Sequence, residues 1–281
     1  MTKNILLTIA YDGSRFHGWQ KQPAEVTVQG HLERVMSRLF KRPVLLSGTS
    51  RTDAGVHALD QKASFVTDLG IPTEKLPLVI NNALCAEEAG PFAKAPVRIL
   101  DACEMPADFH ARFSCKGKKY IYKIKAGCGS NGVSDSRETA HSLVFDRNYV
   151  YHVGESLNIE AMQQAAKYLI GEHDFKSFES SGGNPRETTV RRIFDAEVID
   201  LSSEAVNAGS TSEVLPQDME IHISGDGFLY NMVRIITGTL VETGQGKRKP
   251  EEIKEIMEAK DRAKAGHTAP PYGLYLAEVY Y

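Results

Sequence analysis

The sequence predicts an α+β protein built mostly on antiparallel sheet, and three features carry that expectation. Short runs alternate apolar and polar residues with period two, as Lys118 to Lys125 does. Apolar residues recur at helical spacing between Val28 and Phe40 and again from Ile159. The first half then orders as strand, helix, strand, strand, helix, strand, the split-βαβ pattern. The second half mixes strands and helices in a similar order. A duplication would explain this, although no close sequence repeat accompanies it.

In chain order, Asn4 to Ala10 reads as a strand, turned by Tyr11-Asp12-Gly13-Ser14. Phe16 to Pro23 is a polar-aromatic loop holding Trp19, the single tryptophan. A helix follows with Val28, Leu32, Val35, Met36 and Leu39 on its core-facing stripe. Strands at Val44–Leu46 and Lys62–Val66 flank the polar stretch Ser47 to Ala58. A helix is expected over Thr73–Leu84 and a strand over Val97–Cys103. Asp108 to Phe113 leads into Lys118–Lys125, whose alternation puts Tyr120, Tyr122 and Ile124 on one face and Lys119, Ile121, Lys123 and Lys125 on the other. Gly127 to Thr139 reads as loop and Ile159 to Ile170 as helix. Gly182-Gly183-Asn184-Pro185 breaks the chain. Strands at Thr188–Leu201 and Asp218–Ser224 are joined by a small, polar, acidic connector, Ser202 to Pro216. Phe228 to Val241 reads as a helix burying Phe228, Met232, Ile235, Ile236 and Leu240, with Arg234 off the centre of that stripe. Pro250 opens a last helix to Ala259, and Leu274–Tyr280 is the final strand.

The bulk properties narrow the class. With 281 residues, 42% hydrophobic and 25% charged, the chain holds one large domain or two smaller ones. Its formal charge of -3 gives no general argument for nucleic-acid binding, so any such surface must come from local clustering. No apolar run approaches the roughly 20 residues of a membrane span, and the start of the chain reads as a first strand with no signal peptide. Cys85, Cys103, Cys115 and Cys128 are scattered without a C-x-x-C pair. Neither a metal site nor a disulfide framework is expected, and a reducing, cytoplasmic setting fits.

Chemistry points to Ser47–Ala58. Inside it Asp53 lies two residues from Arg51, with small residues around both. An aspartate beside a guanidinium stays ionised, and an ionised carboxylate serves as nucleophile or base. The competing reading is an Asx-turn or helix N-cap, since Asp-x-Gly is ordinary turn chemistry.

Ser50-Arg51-Thr52-Asp53-Ala54-Gly55-Val56-His57-Ala58 resembles the active-site loop of the TruA-type tRNA pseudouridine synthases. Tyr11-Asp12-Gly13, Gly18-Trp19-Gln20, Asp108 to Phe113, Gly227 to Arg234 and Gly273 to Leu276 resemble further family segments in family order, spanning nearly the whole chain. Ser50 departs from the Gly often found there; a different local hydrogen bond and full activity are expected. The resemblance implies two ferredoxin-like (split βαβ) halves, residues 1–107 carrying the Asp53 loop and 108–281 completing the cleft. They would share a mostly antiparallel central sheet with helices on one side, and two chains would form a homodimer. It implies isomerisation of uridine to pseudouridine at positions 38, 39 and 40 of the tRNA anticodon stem-loop, without cofactor or metal.

The same resemblance assigns roles. Asp53 is the catalytic carboxylate and Arg234 its partner. Arg51 fills the space left by an extruded uridine and holds the phosphate. Tyr120 stacks on the base and its hydroxyl assists removal of the C5 proton, while Leu274 is an apolar wall of the base pocket. Bland alternatives stand beside these: a core tyrosine, a solvated helix arginine, an ordinary strand leucine. Tyr122 is expected to be structural, and His57 to position backbone or RNA. Lys116, Lys118, Lys119, Lys123 and Lys125, with Arg15, Lys21, Arg112, Arg186, Arg191 and Arg192, are candidate RNA contacts or a solvated face. The alternative function is a non-enzymatic RNA-binding protein in which Tyr120 and Tyr122 imitate a stacking platform. A glycosidase would need a second carboxylate beside Asp53.

Overall fold

The computed structural model describes residues 2–88, 94–127, 141, 143–182, 187–202 and 217–281. In chain order the strands are β1 (Lys3–Tyr11), β2 (Ser47–Gly48), β3 (His57–Thr67), β4 (Val97–Met105), β5 (Gly117–Ala126), β6 (Tyr151–Val153), β7 (Gly171–Asp174), β8 (Val190–Asp200), β9 (Gln217–Gly225) and β10 (Leu274–Tyr280). The α-helices are α1 (Val28–Phe40), α2 (Leu76–Glu87), α3 (Ile159–Lys167), α4 (Met232–Gly244) and α5 (Glu252–Ala259). The expected mixture of sheet and helix is therefore present. The chain divides into two compact units, Met1–Lys118 with Tyr275–Tyr281, and Lys119–Leu274.

In the first unit β1 lies between β3 and β4, antiparallel to both, with Leu7 opposite Ala63 on one side and Ala102 on the other. The short β2 adds to the outer side of β3 through Ser47 and Ser64. β10 joins β3 in parallel, Tyr275 opposite His57. Leu7, Ile9, Leu32, Met36, Ile80 and Leu84 are fully enclosed, so the stripes of α1 and α2 close the core over this sheet. Thr27 caps α1 by accepting the Gly30 amide at 3.3 Å. Lys41 ends it in the left-handed region at φ 55°.

Val44 to Leu46 is not a strand, contrary to the sequence expectation. The alternation is real, Val44 and Leu46 being buried and Leu45 75% exposed. The donors go elsewhere: Val44 N–H donates to Ser37 Oγ at 2.9 Å and Leu46 N–H to Glu33 Oε1 at 3.0 Å. Side chains of α1 thus take the bonds a neighbouring strand would have taken. The expected polar loop is also shorter at both ends, because Ser47–Gly48 and His57–Ala58 are paired strand residues.

In the second unit the strands lie in the order β5-β9-β8-β7, with β6 parallel to β5 through Ile124 and Tyr151. β8 and β9 are antiparallel, Val198 opposite Ile221. α3 packs on α4 and β8, and Met162, Ala166, Leu169, Ile235, Ile236 and Leu240 are buried as their spacing predicts. Three expectations need correction. α3 stops at Lys167, because Leu169 N–H turns back to the Ala166 carbonyl at 3.0 Å and frees the chain to form β7. Strands β6 and β7 are too short and too polar to show a period. α4 starts at Met232, four residues later than predicted, since Asn231 takes a left-handed conformation at φ 60°. Phe228 therefore lies before the helix and is half-buried. The break at Gly183–Pro185, the Cys128–Thr139 part of the expected loop, and the connector from 203 to 216 lie outside the described residues.

Glu33 is an acid inside this core, 5% exposed. Its carboxylate accepts the Leu46 amide, the Gln29 side-chain amide at 3.0 Å and the Lys21 ammonium at 3.2 Å. Glu33→Ala leaves a buried backbone donor unmet, so we expect a loss of about 1–3 kcal/mol, read as a lower urea midpoint at unchanged slope.

Candidate active site

The loop between β2 and β3 buries its frame and leaves its charges accessible. Ser50, Thr52 and Val56 are 2%, 7% and 1% exposed. Arg51 is exposed and Asp53 half-buried. The frame is held by named bonds. Gln61, fully buried in β3, accepts the Ser50 amide through Oε1 at 3.2 Å and donates from Nε2 to the Ser50 carbonyl at 2.8 Å. Thr52 Oγ1 shares a 2.6 Å hydrogen bond with Tyr11 Oη, and the Thr52 carbonyl accepts the Trp19 amide at 3.1 Å. Val56 N–H closes back onto the Asp53 carbonyl at 3.2 Å.

Two glycines press against this loop. A Cβ on Gly13 would meet the Val56 carbonyl at 2.0 Å, and one on Gly18, at φ 84°, would meet the Thr52 carbonyl at 2.5 Å. The turn motifs Tyr11-Asp12-Gly13 and Gly18-Trp19-Gln20 thus form the bed on which the loop lies. Ser50 Oγ is buried with no hydrogen-bond partner among the described residues. The local bond expected of this serine is absent; only its backbone is engaged.

His57 is 2% exposed, stacks on Tyr275 at 4.7 Å between ring centres, and accepts the Gly13 amide at Nδ1, 3.1 Å away. That bond uses the Nδ1 lone pair, so the Asp12 oxygen 3.3 Å from the same atom faces no Nδ1 proton in this tautomer. The imidazole positions backbone.

In the second unit Tyr120 and Tyr122 share a face of β5, as alternation requires, yet differ in surroundings. Tyr120 is 8% exposed and meets Phe228 edge to face at 5.1 Å. Tyr122 is fully enclosed, its hydroxyl donating to the Pro270 carbonyl at 2.6 Å. Burial pushes that hydroxyl well above its ordinary pKa, fixing it as a protonated donor. Phe228 is the neighbour that sequence reasoning misplaced, because the expected helix would have turned it into the core.

Arg234 is half-buried on the first turn of α4. Its Nε donates to the Ala269 carbonyl at 2.8 Å and its Nη1 to Asn231 Oδ1 at 2.7 Å. The Ala269 amide returns a bond to the Arg234 carbonyl at 3.0 Å. The segment carrying Ala269 is itself tied to α4: Glu242 accepts both the amide and the Nδ1 of His267 at 2.9 Å, and Arg248 Nε at 2.6 Å. Burial opposes the Glu242 charge, but the Arg248 and His267 donors outweigh it and hold its pKa at about 2. Leu274, 5% exposed, follows this strap at the start of β10.

Several candidate RNA cations are partnered within the protein. Lys125 lies 2.8 Å from Asp146, Lys123 3.8 Å from Glu220, Lys21 3.2 Å from Glu33 and Arg15 3.4 Å from Glu88. Arg186 is outside the described residues. Among the described residues no cluster of three or more His, Cys, Asp and Glu could hold a metal, and no helix is long and apolar enough to cross a membrane.

A family model described as tRNA pseudouridine synthase matches residues 7–114 and 165–281. The chain is 43% identical over 279 residues to tRNA pseudouridine synthase A of Caldicellulosiruptor bescii, covering 99% of this chain and 100% of that protein. It is 44% identical over 283 residues to tRNA pseudouridine synthase A 2 of Clostridium tetani, covering 100% of both. A relative in Clostridium perfringens of the same name as the latter is 40% identical over 279 residues, 99% of this chain and 100% of its own length. With its Arg51–Asp53 loop lying inside the matched region and relatives aligned end to end, the chain belongs to the tRNA pseudouridine synthase family.

Proposed function

We propose that this protein isomerises uridine to pseudouridine at positions 38, 39 and 40 of the tRNA anticodon stem-loop, with Asp53 as catalytic carboxylate. The observation that carries this is the Asp53 loop, whose backbone is locked by Gln61, Tyr11 and Trp19 while Arg51 and Asp53 stay accessible. A turn residue alone would not require such a frame. The reaction breaks the bond between N1 and the ribose, rotates the base, forms a bond from C5 to the ribose, and moves the C5 proton to N1. Atoms and electrons balance within the nucleotide, so the chemistry calls for no cofactor.

Asp53 assists by one of three routes open to a carboxylate: attack on the sugar, attack on the base, or removal of a ribose proton. A uridine in a stem is stacked, and its extrusion costs a few kcal/mol. Arg51, exposed two residues before the acid, is suited to occupy the vacated space, its planar fork holding the phosphate. Tyr120, seated by Phe228, stacks on the base and offers its hydroxyl near C5. Arg234, oriented by Asn231 and Ala269, supplies the cation that keeps Asp53 ionised, and Leu274 bounds the pocket. On this scheme residues 1–107 bring the acid and 108–281 complete the cleft. Each half is ferredoxin-like, for which the antiparallel arrangement of β4, β1, β3 and β2 is the support. A shared central sheet with helices on one side, a homodimer and a cytoplasmic location complete the proposal. Serving three neighbouring uridines requires a substrate that bends.

A non-enzymatic RNA-binding platform is the weaker reading. Stacking modules display rings to solvent, whereas Tyr122 is fully enclosed with its hydroxyl committed to Pro270.

Three substitutions test these assignments on unmodified tRNA transcript, with pseudouridine read as carbodiimide-dependent primer-extension stops. Asp53→Asn should leave tRNA affinity nearly intact and lower product formation by about 10³-fold or more; wild-type protein that binds transcript yet yields no stops would end the enzyme assignment. Arg51→Lys keeps charge but loses the fork, so the rate should fall about tenfold or more; a near-normal rate contradicts the phosphate contact. Tyr120→Phe should bind normally and react about 10²-fold slower, and full activity would remove any need for its hydroxyl.

A further inference from the structure

The segment Asp108 to Phe113 builds a second surface that the scheme above leaves unused. Phe113 is 77% exposed, the highest value of any large hydrophobic residue among those described. It is not a loose side chain on a loop tip. The His110 ring lies 4.5 Å from its ring centre, and the Arg112 guanidinium sits 5.6 Å from that centre. The Arg112 amide donates to His110 Nδ1 at 3.1 Å, which fixes the three residues as one patch. Arg112 forms no ion pair among the described residues, unlike Lys21, Lys123 and Lys125. Lys116 is exposed just beyond the turn, and Asp108 is the turn's own acid.

The backbone under this patch is tied down by hydrogen bonds. Ala111 is fully buried; its amide donates to Ser64 Oγ at 3.2 Å, and its carbonyl accepts from Tyr281 Oη at 2.8 Å and Thr49 Oγ1 at 3.0 Å. His110 N–H bonds to Ser114 Oγ at 3.2 Å and Ser114 N–H returns to the His110 carbonyl at 2.9 Å. Thr49 belongs to the segment carrying Asp53, and its own amide is held by the Lys62 carbonyl at 2.9 Å. The patch is therefore bolted to the same frame as the catalytic loop.

We propose that Phe113, with Arg112 and His110, is a docking platform for the RNA substrate, on which one unpaired base stacks while Arg112 meets the adjacent phosphate. An exposed ring beside a guanidinium that has no ion pair among the described residues fits a nucleotide: base–aromatic stacking is favourable and independent of sequence, and the cation answers the backbone charge. A symmetric pairing of two copies through this patch would bring two Arg112 guanidiniums together, which like-charge repulsion disfavours. The proposal rests on the tRNA reading of the Asp53 site.

The test uses the full chain and an unmodified tRNA transcript. Affinity is measured in the Asp53→Asn background, where turnover does not interfere, and kinetics in the otherwise wild-type chain. Phe113→Ala should raise Kd and KM about tenfold with kcat retained, and Phe113→Tyr should restore both. Arg112→Ala should weaken binding and reduce the slope of log K against log salt by about one, whereas Phe113→Ala should leave that slope unchanged. Unaltered Kd and KM in Phe113→Ala overturn the platform, as does a drop in solution mass showing that Phe113 joins two copies. Failure of the pseudouridine assignment reads differently: the wild-type chain would form no product, while the Kd comparison still reports on the patch.

Discussion

A loop that must expose an acid and a guanidinium while burying its own backbone needs polar partners inside the core, and Gln61 is the main one. Its amide meets both the donor and the acceptor of Ser50. Each such bond contributes only about 0.5–1.5 kcal/mol net, but an unmet buried group costs about 1–3. The pair therefore selects one loop conformation more than it adds stability. Tyr11 extends the same logic to Thr52, and the Gly13 and Gly18 contacts leave the loop nowhere to retreat. Positioning of this kind is where a catalytic group gains, since small displacements of a reacting atom change rates by orders of magnitude.

Much of the frame was legible in the sequence because periodicity reports burial. The stripes of α1 and α3 and the two faces of β5 fell where spacing put them. What failed did so where a bond or a backbone conformation that periodicity does not report intervened. Glu33 and Ser37 capture Leu46 and Val44 and stop a strand. Asn231, left-handed, with its side chain tied to Ser180 at 3.0 Å, holds Phe228 outside the helix and against Tyr120. At the site, Asp53 and Arg51 stood out by type and spacing, and the family resemblance supplied their roles. Gln61 offered a signal that went unread: a polar residue opposite Ile9 on the core-facing side of β3. Tyr122 was expected to be structural and is fully enclosed, but the partners that set it apart from Tyr120, Pro270 and Phe228, lie more than a hundred positions away and carried no signal.

Arg234 shows how charge is organised in the second unit. Its guanidinium is aimed by a carbonyl and an amide side chain, with the Ala269 strap held to α4 through Glu242. The carboxylate of Glu242, with a pKa of about 2, stays charged across the physiological range. Stability gained from a depressed carboxylate is present in full above its ordinary value of 4.5, begins to fall as pH drops through that value, and is lost as pH passes about 2. At neutral pH the strap therefore keeps its carboxylate anchor, and Arg234 is held with it.

A chain with net charge -3 that acts on a polyanion has to concentrate attraction locally. Lys123 and Lys125 of β5 are poorly placed for it, because they already answer Glu220 and Asp146. Recruiting them for phosphates would uncover those acids beside the RNA, offsetting part of the gain. Counterion release at phosphate contacts gives affinity that falls with salt. Contacts that do not scale with charge add to it. Stacking on fixed aromatic rings is such a contact, and Phe113 is a ring both exposed and anchored.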